Sequence, residues 1–365
     1  MKKTNANAPQ HSKTTSASSK KTVPANPVGL PRVPGDGTPD VIILDWDQWA
    51  TKVVPPREKL MDPIIPEKGL IEIYAPRGVG KTFLSLGLAI AVATGTDFLR
   101  WTVPRPRRVL YVDGEMAFID LQERAKWMVA RLDAPPQQGF LRLYAADLQF
   151  HGIPDLASEK PEGRENVEKA LKLGEPDQAE LLILDNLSTL TNTGSESSDE
   201  AWAFMHEWLL KLRRHGVSVL FVHHAGKGGK QRGTSKREDA LDTVIKLSNP
   251  DDYQPNEGAR FVISFEKHRG FFGNDAEPFE AKFSEKEGVG SWETRPIGKR
   301  AKMEWVADLV ASGKSYREIE EETGISKSNV GRLSKEARDL GLIDIEAIVD
   351  TADAGTIVRG KVTSH

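Results

Sequence analysis

Five short apolar runs alternate with longer amphipathic stretches along the first two-thirds of the chain. Each run is rich in Val, Ile and Leu and is bounded by Gly, Pro or polar residues, a pattern that favours buried strands. The runs lie at 70–74, 108–112, 140–144, 180–184 and 216–222. The segments predicted as helices lie between them, at 82–92, 119–132, 165–171 and 201–215. Strands that alternate with helices in this way predict an α/β fold with a twisted, mainly parallel sheet.

The pattern changes in the last third of the chain. Residues 259–265 and 279–283 predict a hairpin, and the Gly- and Lys-rich stretch 284–300 is interpreted as a linker. After a predicted helix at 301–312, residues 315–333 predict a helix-turn-helix with Gly324 at its turn. Ser326 is suited to cap its second helix, and 343–361 could supply two strands of a wing.

The C-terminal module can be interpreted in two ways. A helix-turn-helix often enters the major groove of duplex DNA. However, residues 296–345 hold nine Lys or Arg and nine Asp or Glu, which is weak for a DNA-binding surface. A small winged helix that binds protein therefore stays open as the alternative.

Composition describes a globular protein long enough for two domains, with 365 residues and a net charge of −3. The absence of Cys excludes disulfides, thiolate zinc sites and cysteine catalysis. No apolar run reaches the length of a membrane span, and Lys2 and Lys3 precede no signal-like apolar segment. We therefore expect a cytoplasmic protein with no membrane contact.

The predicted organisation has four parts. Residues 1–40 are polar, contain six Pro and carry a net charge of +4, which predicts a disordered basic leader. This leader could touch nucleic acid or be a solvated extension. It is followed by a core domain at 41–283, the linker at 284–300 and the small domain at 301–365.

The segment 75–82, APRGVGKT, joins the first predicted strand to the first predicted helix. This context predicts a phosphate-binding P-loop, although Ala75 occupies the position where the usual motif has Gly. Backbone N–H groups would hold a polyphosphate, Lys81 would contact the β- and γ-phosphates, and the Thr82 hydroxyl would ligate Mg²⁺. The predicted nucleotide-binding residues are Pro76, Arg77, Gly78, Val79, Gly80, Lys81, Thr82 and Phe83.

Polar residues follow three later strands. Asp113 and Glu115 follow the second strand, at the sheet edge where ligands bind in open α/β folds. Asp185 ends the run LLILD, a Walker B pattern whose Asp supports Mg²⁺ together with Thr82. His223 and His224 end the next strand. Because adjacent strand residues face opposite sides, this pair favours a group that senses the γ-phosphate over a metal site.

Two basic segments complete the candidate site. Residues 226–237, GKGGKQRGTSKR, contain five basic residues and no acidic one, so they predict a loop that grips a phosphate backbone. A plain surface loop is the alternative. Lys267 and Arg269 follow the strand predicted at 259–265.

With these motifs in order, the region from 41 to 283 resembles the RecA-like P-loop ATPases. It is most similar to plasmid RepA-type hexameric replicative helicases and to their KaiC- and DnaB-like relatives. The motifs that carry the resemblance are APRGVGKT, VDGE at 112–115, LLILDN at 181–186, FVHH at 221–224 and RGTS at 232–235.

The resemblance implies roles for individual residues. Glu115 corresponds to the general base that activates water, a role that Asp113 could share, and His224 corresponds to the strand-end sensor. DNA would contact the loops at about 190–199 and 225–240. The neighbouring subunit would supply a cation, for which Arg232 and the pair Lys267/Arg269 are both candidates. The sequence favours neither, and Arg232 and Arg269 are expected to follow strands that end at the nucleotide edge.

We therefore expect Mg-ATP hydrolysis in a homo-hexameric ring that moves on single-stranded DNA as a helicase in DNA replication. An ATP-switched regulator or replication initiator that binds duplex DNA without unwinding it is the second hypothesis. A KaiC-like ring that acts on proteins is the third.

Overall fold

The computed structural model describes residues 43–191, 199–225 and 240–343. The chain divides into two compact units, residues 1–56 and 57–365, so the break falls within the predicted core domain. In the first unit, helix α1 (Trp46–Thr51) begins with a capping box. Asp45 accepts a hydrogen bond from the Gln48 N–H at 2.9 Å, and Gln48 accepts one from the Asp45 N–H. The predicted leader at 1–40 lies outside the described residues.

The second unit is built on a nine-stranded sheet with the order β11-β10-β9-β8-β3-β7-β6-β4-β5. In this spatial order, β8, β3, β7, β6, β4 and β5 pair parallel to one another. β8, β9, β10 and β11 pair antiparallel. β1 and β2 form a separate ribbon. The strands are β1 (Lys59–Met61), β2 (Ile65–Pro66), β3 (Leu70–Ala75), β4 (Val109–Asp113), β5 (Leu141–Ala145), β6 (Leu181–Asp185), β7 (Ser218–His224), β8 (Thr243–Ser248), β9 (Arg260–His268), β10 (Phe279–Lys286) and β11 (Val289–Pro296).

Helices cover both faces of this sheet. α2 (Lys81–Thr94) and α3 (Phe118–Val129) lie on one face, and α4 (Glu162–Leu171), α5 (Leu187–Leu190) and α6 (Asp199–Arg214) lie on the other. Three further helices follow the last strand: α7 (Lys299–Ala311), α8 (Tyr316–Thr323) and α9 (Lys327–Asp339). Alternate strand residues enter two apolar clusters. Ile71 and Ile73 pack with α2 in one cluster, and Leu70 packs with α4 and α6 in the other. The prediction of an α/β fold with a mainly parallel sheet is confirmed. Among the described residues, no helix is long and apolar enough to cross a membrane.

Two strands differ from the sequence prediction. The stretch 284–300, interpreted as a linker, contains the end of β10 and all of β11. Gly290 suits this strand because a Cβ there would lie 2.6 Å from the Phe283 ring, so a small residue lets the hairpin pack closely. β8, which the hydrophobic pattern does not predict, pairs parallel to β3 and antiparallel to β9.

The missed strand reverses the expected direction of β9. Ile71 near the start of β3 lies opposite Thr243 of β8, and Thr243 lies opposite His268 of β9. β9 therefore ends at the edge of the sheet opposite the P-loop. The expectation that Arg269 follows a strand ending at the nucleotide edge is wrong.

Three helices, α7 to α9, enclose a third apolar cluster that includes Ile319, Val330 and Leu333. The Ser315 side chain caps α8, and Gly324 ends that helix with a φ of 68°. Ser326 stands at the N-cap position of α9, but its side chain makes no capping hydrogen bond there. The described residues end at 343, so the predicted wing, apart from Ile343, lies outside them.

Candidate active site

The P-loop joins β3 to α2 at the carboxyl edge of the parallel strands. Gly78 and Gly80 have φ values of 78° and 116°, which favour glycine. A Cβ at Gly80 would also lie 2.8 Å from the Phe261 ring of β9, so this position must stay small for a packing reason. The loop therefore keeps its backbone open to a phosphate group, as the sequence predicts.

Lys81 begins α2 and is almost completely buried. Its ammonium donates to the carbonyl oxygens of Ala75 at 3.2 Å and Pro76 at 2.8 Å. Burial lowers the pKa of Lys81 to about 8, although the negative charges of Asp185 and Glu115 oppose this shift. The ammonium is thus held at the loop without a direct carboxylate partner, where it can turn towards a bound phosphate.

Asp185 ends β6 and is 3% exposed. Its Oδ2 accepts hydrogen bonds from the Tyr111 hydroxyl at 2.6 Å and the Ser85 hydroxyl at 3.0 Å. The Thr82 hydroxyl also lies close to this carboxyl group. Burial raises the pKa of Asp185, while these three hydroxyls and Lys81 lower it. The Walker B carboxylate therefore lies directly against the first turn of α2.

Asp113 and Glu115 have different environments. Asp113 is 1% exposed, and its Oδ1 accepts from the N–H groups of Met116 at 2.9 Å and Glu115 at 3.3 Å. Burial raises the pKa of Asp113 to about 7. The Glu115 side chain is 55% exposed. Asp113 therefore holds the turn that presents Glu115, and Glu115 is the carboxylate that water can reach.

Two polar side chains contact Glu115. Asn186, which follows the Walker B strand, donates from Nδ2 to Glu115 Oε2. The His224 Nε2 lies 3.9 Å from the same oxygen. His223 is fully buried, so the two adjacent histidines do not share one environment. The structure thus brings His224 close to Glu115 and adds Asn186, which the sequence pattern does not mark as a site residue.

The turn that carries Glu115 packs against α5. A Cβ at Gly114 would lie 2.6 Å from the Thr189 hydroxyl oxygen. The Gly114 N–H donates to the Asp185 carbonyl at 2.8 Å. The ends of β4 and β6 and the start of the loop after β6 therefore form one connected unit.

The remaining predicted residues have separate positions. Pro76 and Arg77 are exposed and Val79 is buried. The Phe83 ring packs on Phe283 with centroids 4.9 Å apart. Lys267 and Arg269 lie at the opposite sheet edge, as the register of β9 shows. Arg232, residues 192–198 and the basic loop at 226–237 lie outside the described residues.

The residues present fit Mg²⁺ and a polyphosphate. The Thr82 hydroxyl and the Asp185 carboxylate are hard oxygen donors of the kind that Mg²⁺ prefers. Mg²⁺ usually takes only one or two protein ligands and completes its shell with water and phosphate. Within residues 43–191, 199–225 and 240–343, no group of three His, Asp or Glu side chains forms a metal site of its own.

The lowered pKa of Lys81 predicts a pH dependence of nucleotide binding. A bound polyphosphate favours the ammonium form, so above pH 8 binding must be accompanied by proton uptake. We expect the affinity for ATP to fall about tenfold between pH 7 and pH 9, as measured with a fluorescent ATP analogue. Lys81→Arg is the control because its guanidinium stays charged, and its pH profile should be flat. A wild-type profile as flat as that of Lys81→Arg would contradict the assignment.

A comparison with known families agrees with this geometry. A family described as an AAA domain matches residues 39–230, which is more than half of the chain. The matched region contains the P-loop, the Glu115 turn, Asp185 and both adjacent histidines.

Proposed function

The chain belongs to the AAA domain family of P-loop ATPases, and from that premise we propose that it is a ring-forming motor that hydrolyses ATP to move along single-stranded DNA. Its role is that of a RepA-type replicative helicase of a plasmid or mobile element, assembled as a homo-hexamer. The observation that supports the hydrolytic part best is the convergence of Lys81, Asp185 and Glu115 at one sheet edge.

In the proposed hydrolysis, each side chain of the site has a distinct role. Glu115 accepts the proton of a water molecule while the water oxygen attacks the γ-phosphorus and the bond to the bridging oxygen breaks. Lys81 binds the β- and γ-phosphates. Thr82 and Asp185 would hold Mg²⁺, which neutralises phosphate charge when bound. His224 lies close enough to Glu115 to respond to the γ-phosphate.

In this proposal, a cation from a neighbouring subunit completes the active site. Lys267 and Arg269 lie at the far edge of their own sheet, and the four residue steps from Ile71 to Ala75 alone span about 13 Å along β3. An arginine at that edge does not reach its own P-loop. In a head-to-tail ring, the same edge can face the nucleotide of the next subunit.

Single-stranded DNA is proposed to contact the loops at 190–199 and 225–240. Both follow strands that end at the nucleotide edge, β6 and β7. The first of these loops begins directly after α5, which packs against the turn that carries Glu115. This connection offers a route by which DNA contact can alter the position of the base.

The proposal predicts that single-stranded DNA stimulates ATP hydrolysis by the full-length protein. The rate should be measured with and without an unstructured oligonucleotide, beside the mass of the assembly. Lys81→Ala is the control and should bind nucleotide weakly and hydrolyse none. An ATPase that ignores DNA would favour a KaiC-like ring acting on proteins, and a monomeric ATPase would exclude the ring.

A second candidate is an ATP-switched regulator or replication initiator that binds duplex DNA without unwinding it. One observation favours it: charge is segregated within the C-terminal helices. The exposed side chains of α9 include Lys327, Arg332 and Lys335 together with Ser328 and Asn329, whereas four glutamates lie in or beside α8 at 318–322. The zero net charge of this region thus conceals a basic helix face. Binding at a specific duplex site without unwinding of a forked substrate would support this candidate.

A further inference from the structure

Two buried hydroxyl groups lie behind the Walker B carboxylate. Tyr111 of β4 is 1% exposed and Ser85 of α2 is fully buried. Both donate to Oδ2 of Asp185, and their own oxygens lie 2.9 Å apart. The three oxygens form a compact triangle between the helix and the sheet. Neither hydroxyl belongs to the P-loop or to a strand-end motif.

The positions of these residues follow from local geometry. Ser85 comes one helical turn after Thr82, so both hydroxyls face β6. Tyr111 pairs in register with Ile183, and Asp113 pairs with Asp185. Because side chains two residues apart share a face, Tyr111 points to the same side of the sheet as Asp185. Its phenol is thereby fixed beside the carboxylate by the strand pairing itself.

We propose that Tyr111 and Ser85 are positioning residues that fix Oδ2 of Asp185 and so orient the carboxylate towards the metal of a bound Mg-nucleotide. This inference rests on the proposed nucleotide site. A buried carboxylate is costly unless its oxygens are hydrogen-bonded. Two protein donors meet that requirement without occupying the other oxygen. Loss of an outer hydrogen bond to a ligating group typically weakens metal binding by about 10–100-fold.

The test compares metal affinity with nucleotide affinity. The probe is Mn²⁺, followed by electron paramagnetic resonance during titration of the protein–ADP complex. In Tyr111→Phe we expect the Kd of Mn²⁺ to rise by about tenfold or more. The Kd of ADP in EDTA should stay within about twofold of wild type, because the P-loop is unchanged. Ser85→Ala should shift the metal affinity in the same direction.

Tyr144→Phe is the matched control. Tyr144 lies on the adjacent strand β5 and packs with the apolar cluster on the other face of the sheet. The same loss of a hydroxyl group at Tyr144 should leave the affinities for Mn²⁺ and for ADP unchanged. If Tyr111→Phe does not fold, Ser85→Ala decides the question, since alanine suits a helix interior.

Three results are distinguishable. Wild-type Mn²⁺ affinity in folded Tyr111→Phe and Ser85→Ala would overturn the inference. Equal weakening of ADP binding with and without metal would also overturn it, because it indicates a damaged P-loop. A wild-type protein that does not bind ADP would instead remove the proposed nucleotide site.

Discussion

Replacing Glu115 with glutamine should leave ATP bound and slow its hydrolysis by about 10²-fold or more. Glutamine keeps the size of the side chain and can still accept the hydrogen bond from Asn186, but it cannot take a proton from water. Glu115 is the exposed carboxylate of its turn, and His224 lies 3.9 Å from it. Single-turnover hydrolysis measured beside ATP binding would separate the two effects.

Asp113→Asn is the matched control for this prediction. Asp113 is buried and uses Oδ1 to hold the N–H groups of Glu115 and Met116. Asparagine keeps an oxygen for these bonds, so we expect a rate within about tenfold of wild type. Normal hydrolysis by Glu115→Gln together with a large loss in Asp113→Asn would reverse the two roles.

The second large effect concerns the cation that a neighbouring subunit is proposed to supply. Arg269→Ala should bind ATP almost normally and hydrolyse it about 10³-fold more slowly, the size of effect seen when an arginine finger is removed from other NTPases. The substitution leaves the backbone bond from the Arg269 N–H to the Asp242 carbonyl in place. Arg131→Ala, which removes an exposed arginine just after α3, should have no such effect.

A mixing experiment tests whether the arginine acts between subunits. Arg269→Ala and Glu115→Gln are each expected to be nearly inactive alone. In mixed rings, some interfaces combine an intact Glu115 from one subunit with an intact Arg269 from the next, so measurable activity should return. If mixed rings form and activity does not return, Arg269 does not complete a neighbour's site. Arg232 is then the remaining candidate and can be tested in the same way.

The parallel core was predictable because its strands have a strong local pattern. Runs such as LLIL at 181–184 and VLFV at 219–222 are apolar throughout, as expected for strands covered on both faces. Each is followed by a polar residue that the site uses, so the positions of Asp185, Glu115 and His224 followed from strand ends alone. The P-loop was predictable for the same reason, despite Ala75.

The errors came from strands without such a pattern. β8, TVIKLS, contains Lys246 and lies between a basic loop and a Pro-containing turn, and its burial depends on β3 and β9. Missing it reversed the direction assigned to β9 and placed Arg269 at the wrong edge. β11 contains Gly290 and two charged residues, Glu293 and Arg295, so composition favoured a linker. Only pairing with β10 shows it to be a strand.

The hydrogen bonds made by polar side chains at the core could not be predicted from the sequence either. In the run RVLYV, Tyr111 resembles any other apolar strand residue, and its bond to Asp185 depends on the register of β4 with β6. Asn186 could have been selected from its place directly after the Walker B aspartate. Its contact with Glu115 nevertheless depends on the pairing of β4 with β6, which cannot be deduced from the spacing of residues in the sequence.

β9 touches its own P-loop at one end and carries Arg269 beyond the other. Phe261 packs on Gly80, and Arg269 follows eight residues later, a span of about 25 Å along the strand. Movement of the P-loop backbone on nucleotide binding would press directly on Phe261. In the proposed ring, β9 would thus join the P-loop of one subunit to the arginine offered to the next site, and occupancy of one site could set the timing of hydrolysis at the next.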